Sequence, residues 1–207
     1  MMSLTKFATA FLLPLLATAA QLPELRTEPI GGGSVFFVKN TSTQPLTAYL
    51  IELVGYPGSS YSLWQDEITA EPIPPGGEIR IQVTNMTAGA VPDYMKLTAA
   101  IFADGSTAGV PEKVAQFMER RRFVLETTRE LIRRIEKGAT KTELKQWADS
   151  LQPAGKVKPN SQPLINQAAA RSLVSETAAK LDTHSAEETL AGLRASEKAL
   201  GASKPAL

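Results

Sequence analysis

The 207-residue chain has no cysteine and a single histidine, His184. Without cysteine there is no disulfide, no thiolate nucleophile and no lipid attached through an N-terminal cysteine. With one histidine, a zinc centre would need carboxylates almost alone, a poor match to that ion's ligand preferences. A Ser-His-Asp triad would have to recruit His184 from a loop near the end of the chain. No G-x-S-x-G elbow occurs. An excess of one charge is also missing: 22 Lys and Arg face 21 Asp and Glu, a formal +1. Nothing in that balance points to nucleic acid or an anionic surface. Gly31-Gly32-Gly33 precedes a strand pattern rather than a helix, so it offers no helix N-terminus to a phosphate. Asp104-Gly105-Ser106-Thr107 lacks the later carboxylates of a calcium loop. The expectation is therefore no metal, no cofactor, no nucleic-acid partner and no catalytic residue.

What is present begins with "MMSLTKFATAFLLPLLATAAQ". One lysine is followed by an apolar stretch from Phe7 to about Leu16, then by Ala17-Thr18-Ala19-Ala20. That is the three-part layout of a secretory signal peptide, predicted over 1–19, with cleavage after Ala19 or Ala20. The apolar part falls short of the roughly 20 residues a spanning helix needs. Membrane contact would come only through an uncleaved signal. A cysteine-free exported chain fits a bacterial periplasm or exterior. Of the two sequons, Asn40-Thr41-Ser42 and Asn85-Met86-Thr87, each reads as a turn.

Residues 20–33, with two Pro and three Gly, read as an extended lead-in. Residues 34–107 read as a small antiparallel Ig-like β-sandwich of five or six strands. Its clearest strand is "EIRIQVT", where Ile79, Ile81 and Val83 alternate with polar residues. From Pro111 the apolar period becomes helical. Residues 110–151 read as two amphipathic helices, the second opened by the capping box Thr140-x-x-Glu143. Residues 152–163, with three Pro, read as a linker. Residues 164–201 read as an Ala-rich helical hairpin or a frayed tail, because their apolar faces are thin. The fold class is α+β.

Charge is unevenly spread. Residues 31–105 hold three cations and seven anions; residues 111–150 hold ten cations and seven anions. An acidic β-unit is thus joined to a basic helix, and docking of one on the other explains both. In Arg120-Arg121-Arg122, successive side chains diverge by about 100°, so the run cannot form one patch. Arg122, Arg129 and Arg133 share a face and are the candidate interaction residues, with Glu126 and Glu130 spaced to pair with them. Trp147 lies on its helix's apolar stripe and reads as core. Tyr56, Tyr61 and Trp64 are the candidate ligand surface, provided that Trp64 is exposed. Asp104, Gly105, Gly109 and Pro111 read as the junction between the β and α parts.

"VKNTS", "PLTAY" and "IPPGG" (38–42, 45–49 and 73–77), with "AIFADGSTAG" and the Arg-rich helix, resemble a pattern in bacterial extracytoplasmic Ig-like or fibronectin-like modules, including uncharacterised secreted proteins. The resemblance covers roughly 35–137. It implies a fold class and carries no catalytic residues over. The leading expectation is a non-catalytic interaction or envelope-structural module whose partner is another envelope or secreted protein, or itself. The alternatives are carbohydrate binding through the aromatics, and a small hydrolase using Asp104 with a second carboxylate.

Overall fold

The computed structural model describes residues 20–67, 70–84, 92–151 and 161–207. The predicted signal peptide, the Asn85 sequon and most of the predicted linker lie outside them. Seven strands come first: β1 (Glu24–Ile30), β2 (Gly33–Lys39), β3 (Leu46–Leu53), β4 (Ser62–Asp66), β5 (Glu78–Thr84), β6 (Met95–Phe102) and β7 (Thr107–Gly109). Four helices follow: α1 (Pro111–Glu136), α2 (Lys141–Ser150), α3 (Gln162–Lys180) and α4 (Ala186–Ala202).

Two antiparallel sheets form, ordered β1-β2-β5 and β4-β3-β6-β7. The region read as a lead-in supplies β1, which pairs along its whole length with β2. Its Gly31-Gly32 pair makes the hairpin turn, with Gly32 at φ +77°. Gly33 is fixed by crowding instead: a Cβ there would lie 2.0 Å from the Val83 carbonyl oxygen. The short β7 also follows no readable alternation, being three residues long.

Phe36 and Val38 of β2 meet Tyr49 and Ile51 of β3 and Ala100 and Phe102 of β6 in a core shared by both sheets. The opposite face of the four-stranded sheet is also covered. There Ala48, Leu50, Ala99 and Ile101 pack against Phe117 of α1, with Trp64, Val114 and Met118 around them. This double covering explains why β3 and β6 are almost continuously buried, whereas β5 alternates. Asn40 is wholly buried. Its side-chain N–H groups donate to the Gln44 and Ile73 carbonyls, and its oxygen accepts from Ser42. It is an architectural turn residue.

Pro111 opens α1, where its missing N–H costs nothing. Gly138 closes it at φ +84°. The last turns of α1 leave the sheet and gather the other helices. Leu131, Ile132 and Ile135 pack with Leu144 and Ala148 of α2, Val174 and Ala178 of α3, and Leu193 of α4. The thin apolar faces of α3 and α4 are therefore applied to α1. Pro163 lies in the first turn of α3, so the helix starts inside the stretch read as linker. Thr140 and Ser185 each form the full capping box with Glu143 and Glu188.

Candidate functional site

Arg121 is 1% exposed and is the largest buried side chain among the described residues. The reason lies in spacing. Arg121 falls four residues after Phe117 and four before Leu125, on the buried stripe of α1. A charge in that stripe needs a partner, since an unpaired buried ion is far more costly than a paired one. β4 supplies it. Leu63 faces the sandwich core, Trp64 faces α1, and two residues on Asp66 lies on Trp64's side of the sheet. Arg121 Nε donates to Asp66 Oδ2 at 2.8 Å and Nη2 to Oδ1 at 3.0 Å, a bidentate pair. The third nitrogen, Nη1, donates to the Lys204 carbonyl at 3.0 Å. Glu67 stands 3.6 Å from Nη2. Burial pushes the Glu67 carboxyl above its ordinary pKa, opposed by Arg121 and reinforced by Asp66.

Arg120 turns a different way, over the Trp64 ring at 5.7 Å. Burial draws its guanidinium below the usual range, with Asp66 opposing and Arg121 adding to the shift. Arg122 is exposed. The three adjacent arginines thus do three different things. A second tie lies nearer the start of α1. Glu52 of β3 accepts from Lys113 Nζ at 2.7 Å and from the Thr98 hydroxyl at 2.6 Å.

The three candidate aromatics are not brought together. Tyr61 packs near Phe36 in the sandwich core. Trp64 lies on the opposite face of its sheet, edge-on to Phe117 at 4.7 Å, with its indole nitrogen buried. Tyr56 packs edge-on to Tyr94 at 5.3 Å in the loops at the far end of β3. Trp64 is half-buried against α1 and shares no face with Tyr61. The candidate arginines are also dispersed. Arg129 pairs with Glu197 of α4 at 2.8 Å, and Arg133 pairs with Glu130 of its own helix at 2.8 Å.

Asp104 and Gly105 form the tip of the β6–β7 hairpin, one short strand before the helix rather than directly at its start. The Gly105 N–H donates to the Phe102 carbonyl. Asp104 Oδ1 accepts from the Ser106 N–H at 2.8 Å and from its hydroxyl at 2.6 Å. These bonds hold the Asp104 carboxyl below its ordinary pKa. Asp104 lines a pocket of about 340 Å³ with Ala20, Thr41–Gln44 and Ser106, and among the described residues no second carboxylate lines it. Gly109, at φ +102°, lies so close to β6 that a Cβ would sit 2.3 Å from the Thr98 oxygen. Among the described residues no group of three or more His, Asp or Glu is placed to hold a metal. No helix among them is long and apolar enough to cross a membrane.

The sequence alone points to Arg122, Arg129 and Arg133 as interaction residues and offers Asp66 only as one of several carboxylates, without pairing it with Arg121. The signal was available: an arginine on an apolar stripe, and an aspartate on the face of β4 that also carries Trp64. No family model, no curated protein and no solved structure matches this chain.

Proposed function

We propose that this chain is a non-catalytic interaction or envelope-structural module, exported from the cytoplasm, in which an Ig-like sandwich holds a helical lobe at a fixed angle. The observation that supports it most is the bidentate Asp66–Arg121 pair beneath α1. This bidentate pair joins the two parts of the molecule and, among the described residues, faces no cleft. The two sheets sharing one core suit the Ig-like reading. They depart from the constant-type arrangement in one respect, because β4 pairs with β3 instead of extending the other sheet. The spacing of Lys6, the apolar stretch and Ala17-Thr18-Ala19 supports export.

Cell fractionation with intact-mass measurement tests the reading. The expected result is an extracytoplasmic protein beginning at residue 20 or 21, inert towards esterase, glycosidase and phosphatase substrates. A cytoplasmic protein that keeps residue 1 would overturn the location. Turnover abolished by Asp104→Asn would overturn the non-catalytic assignment.

A further inference from the structure

Two sheets have four edges, and three of them are protected against pairing. β7 is three residues long and β4 five. β1 carries Pro29, which has no N–H to donate, and an Arg26–Glu28 ion pair. Short strands, edge prolines and edge charges are the usual devices that stop strands from adding to a sheet. β5 is the least protected. It runs seven residues with neither proline nor glycine, and among the described residues it pairs only with β2. Its two charges, Glu78 and Arg80, are opposite in sign and lie on its exposed face. Its inward side chains, Ile79, Ile81 and Val83, pack on the shared core yet stay half-exposed. Across the gap between the sheets, Tyr61 and Leu63 are also half-exposed. Among the described residues, an apolar seam therefore lies open beside a free backbone edge.

We infer that β5 is the docking edge for a second copy of this chain, added antiparallel to itself. A free edge of backbone donors and acceptors is matched by a strand, and the β5 sequence selects its own copy. A two-fold axis through Ile81 sets Glu78 opposite Thr84 of the second copy, Ile79 opposite Val83, and Arg80 opposite Gln82. All seven residues pair. The apolar residues stay on the core side, and no like charges stand directly opposite. An axis through Arg80 would oppose two guanidiniums, and one through Gln82 would leave Glu78 and Ile79 without partners within β5. The contact is isologous, so it closes at two chains. It joins the two β1-β2-β5 sheets into one continuous sheet and covers both seams.

The inference rests on the interaction-module reading and names the partner. Sedimentation of the full chain over a dilution series tests it, with a dimer as the expected result. Gln82 is exposed and outward-facing, so its substitution leaves the core alone. Gln82→Arg sets a second guanidinium opposite Arg80 twice per dimer and is expected to weaken dimerisation about three- to tenfold. Gln82→Glu creates two Glu–Arg pairs and is expected to tighten it by a similar factor. In this cysteine-free chain, Ile81→Cys is expected to give a cross-linked dimer on oxidation, since the two residues meet on the axis. A monomer at every concentration overturns the inference, as does a dimer indifferent to both Gln82 variants. Either result leaves the non-catalytic reading standing. Enzymatic turnover would sink that reading without touching the sedimentation result.

Discussion

Arg121 in the first half of α1 and Arg133 in the second are both paired with carboxylates, and the two pairs do different work. Arg121 and Asp66 are at most 2% exposed and hold each other in bidentate geometry between a helix and a sheet. Arg133 is mostly exposed and reaches a glutamate three residues away on its own helix. Arg129–Glu197 and Arg194–Glu136, which tie α1 to α4, are also exposed. The proximal half of α1 is thus fixed by buried polar geometry added to the packing of Phe117 on the sheet. The distal half is held by apolar packing around Leu131, Ile132 and Ile135, with charge only at its rim. The lesson concerns location. A surface pair contributes about 0–1 kcal/mol, whereas a buried pair that loses one member leaves an uncompensated charge.

The sharpest way to break this contrast is at Asp66. Asp66→Ala leaves the Arg121 guanidinium buried with, among the described residues, the Lys204 carbonyl and the more distant Glu67. A loss of about 3–5 kcal/mol is expected in chemical denaturation. The paired change Asp66→Leu with Arg121→Met removes both charges and is expected to recover most of that loss. A double variant as unstable as the single one would show that the pair itself, not the orphaned charge, carries the stability.

Gly109→Ala comes next. The residue lies at φ +102° with the Thr98 oxygen 2.3 Å from the missing Cβ. Strain and displacement together are expected to cost about 2–3 kcal/mol. The damage should be confined to the junction. Hydrogen exchange should quicken in β7 and the first turns of α1 while the distal helices keep their protection. Equal loss in both lobes would mean that they do not unfold separately.

Some of this arrangement can be read from residues, and some cannot. β5 announces itself because only one of its faces is buried. The capping boxes at Thr140 and Ser185 mark two helix starts, because their signal is local. β1 was hidden by its own proline and the glycines that follow it: those residues suit an edge strand and a tight hairpin as well as a structureless lead-in. The placing of the aromatics is not legible for a different reason. Alternation sends Tyr61 and Trp64 to opposite sides if the strand has two covered faces. Whether a third layer covers the second face depends on where α1 returns, and that information is not local. Arg121 is hard to pick out because it sits in a basic run, where the run of charge conceals its place on the stripe.

Smaller effects test the distal half. Arg129→Ala and Arg194→Ala are each expected to cost about 0.5 kcal/mol or less, and less still at high salt. A cost near that of Asp66→Ala for either would erase the distinction drawn between the two halves of α1.

Asp104 should give the smallest readout and the only one with a signature in pH. Its carboxylate accepts both Ser106 donors at the β6–β7 tip. Gly105, beside it, lies against Lys204, whose Cβ would be 3.2 Å from an added one. The tip therefore meets the chain terminus that also caps Arg121. Hydrogen bonds to the charged form hold the Asp104 pKa below 3.8, first through the Ser106 side chain and then through its backbone, with Lys204 adding a little. A carboxyl depressed in the folded state contributes stability above its unfolded pKa and loses it as pH falls through the folded value. Asp104→Ala is therefore expected to lower the melting temperature slightly at pH 7. The gap from the parent protein should close as the pH drops below about 4. A gap unchanged down to pH 2 would assign the effect to loop packing at the β6–β7 tip rather than to the carboxylate.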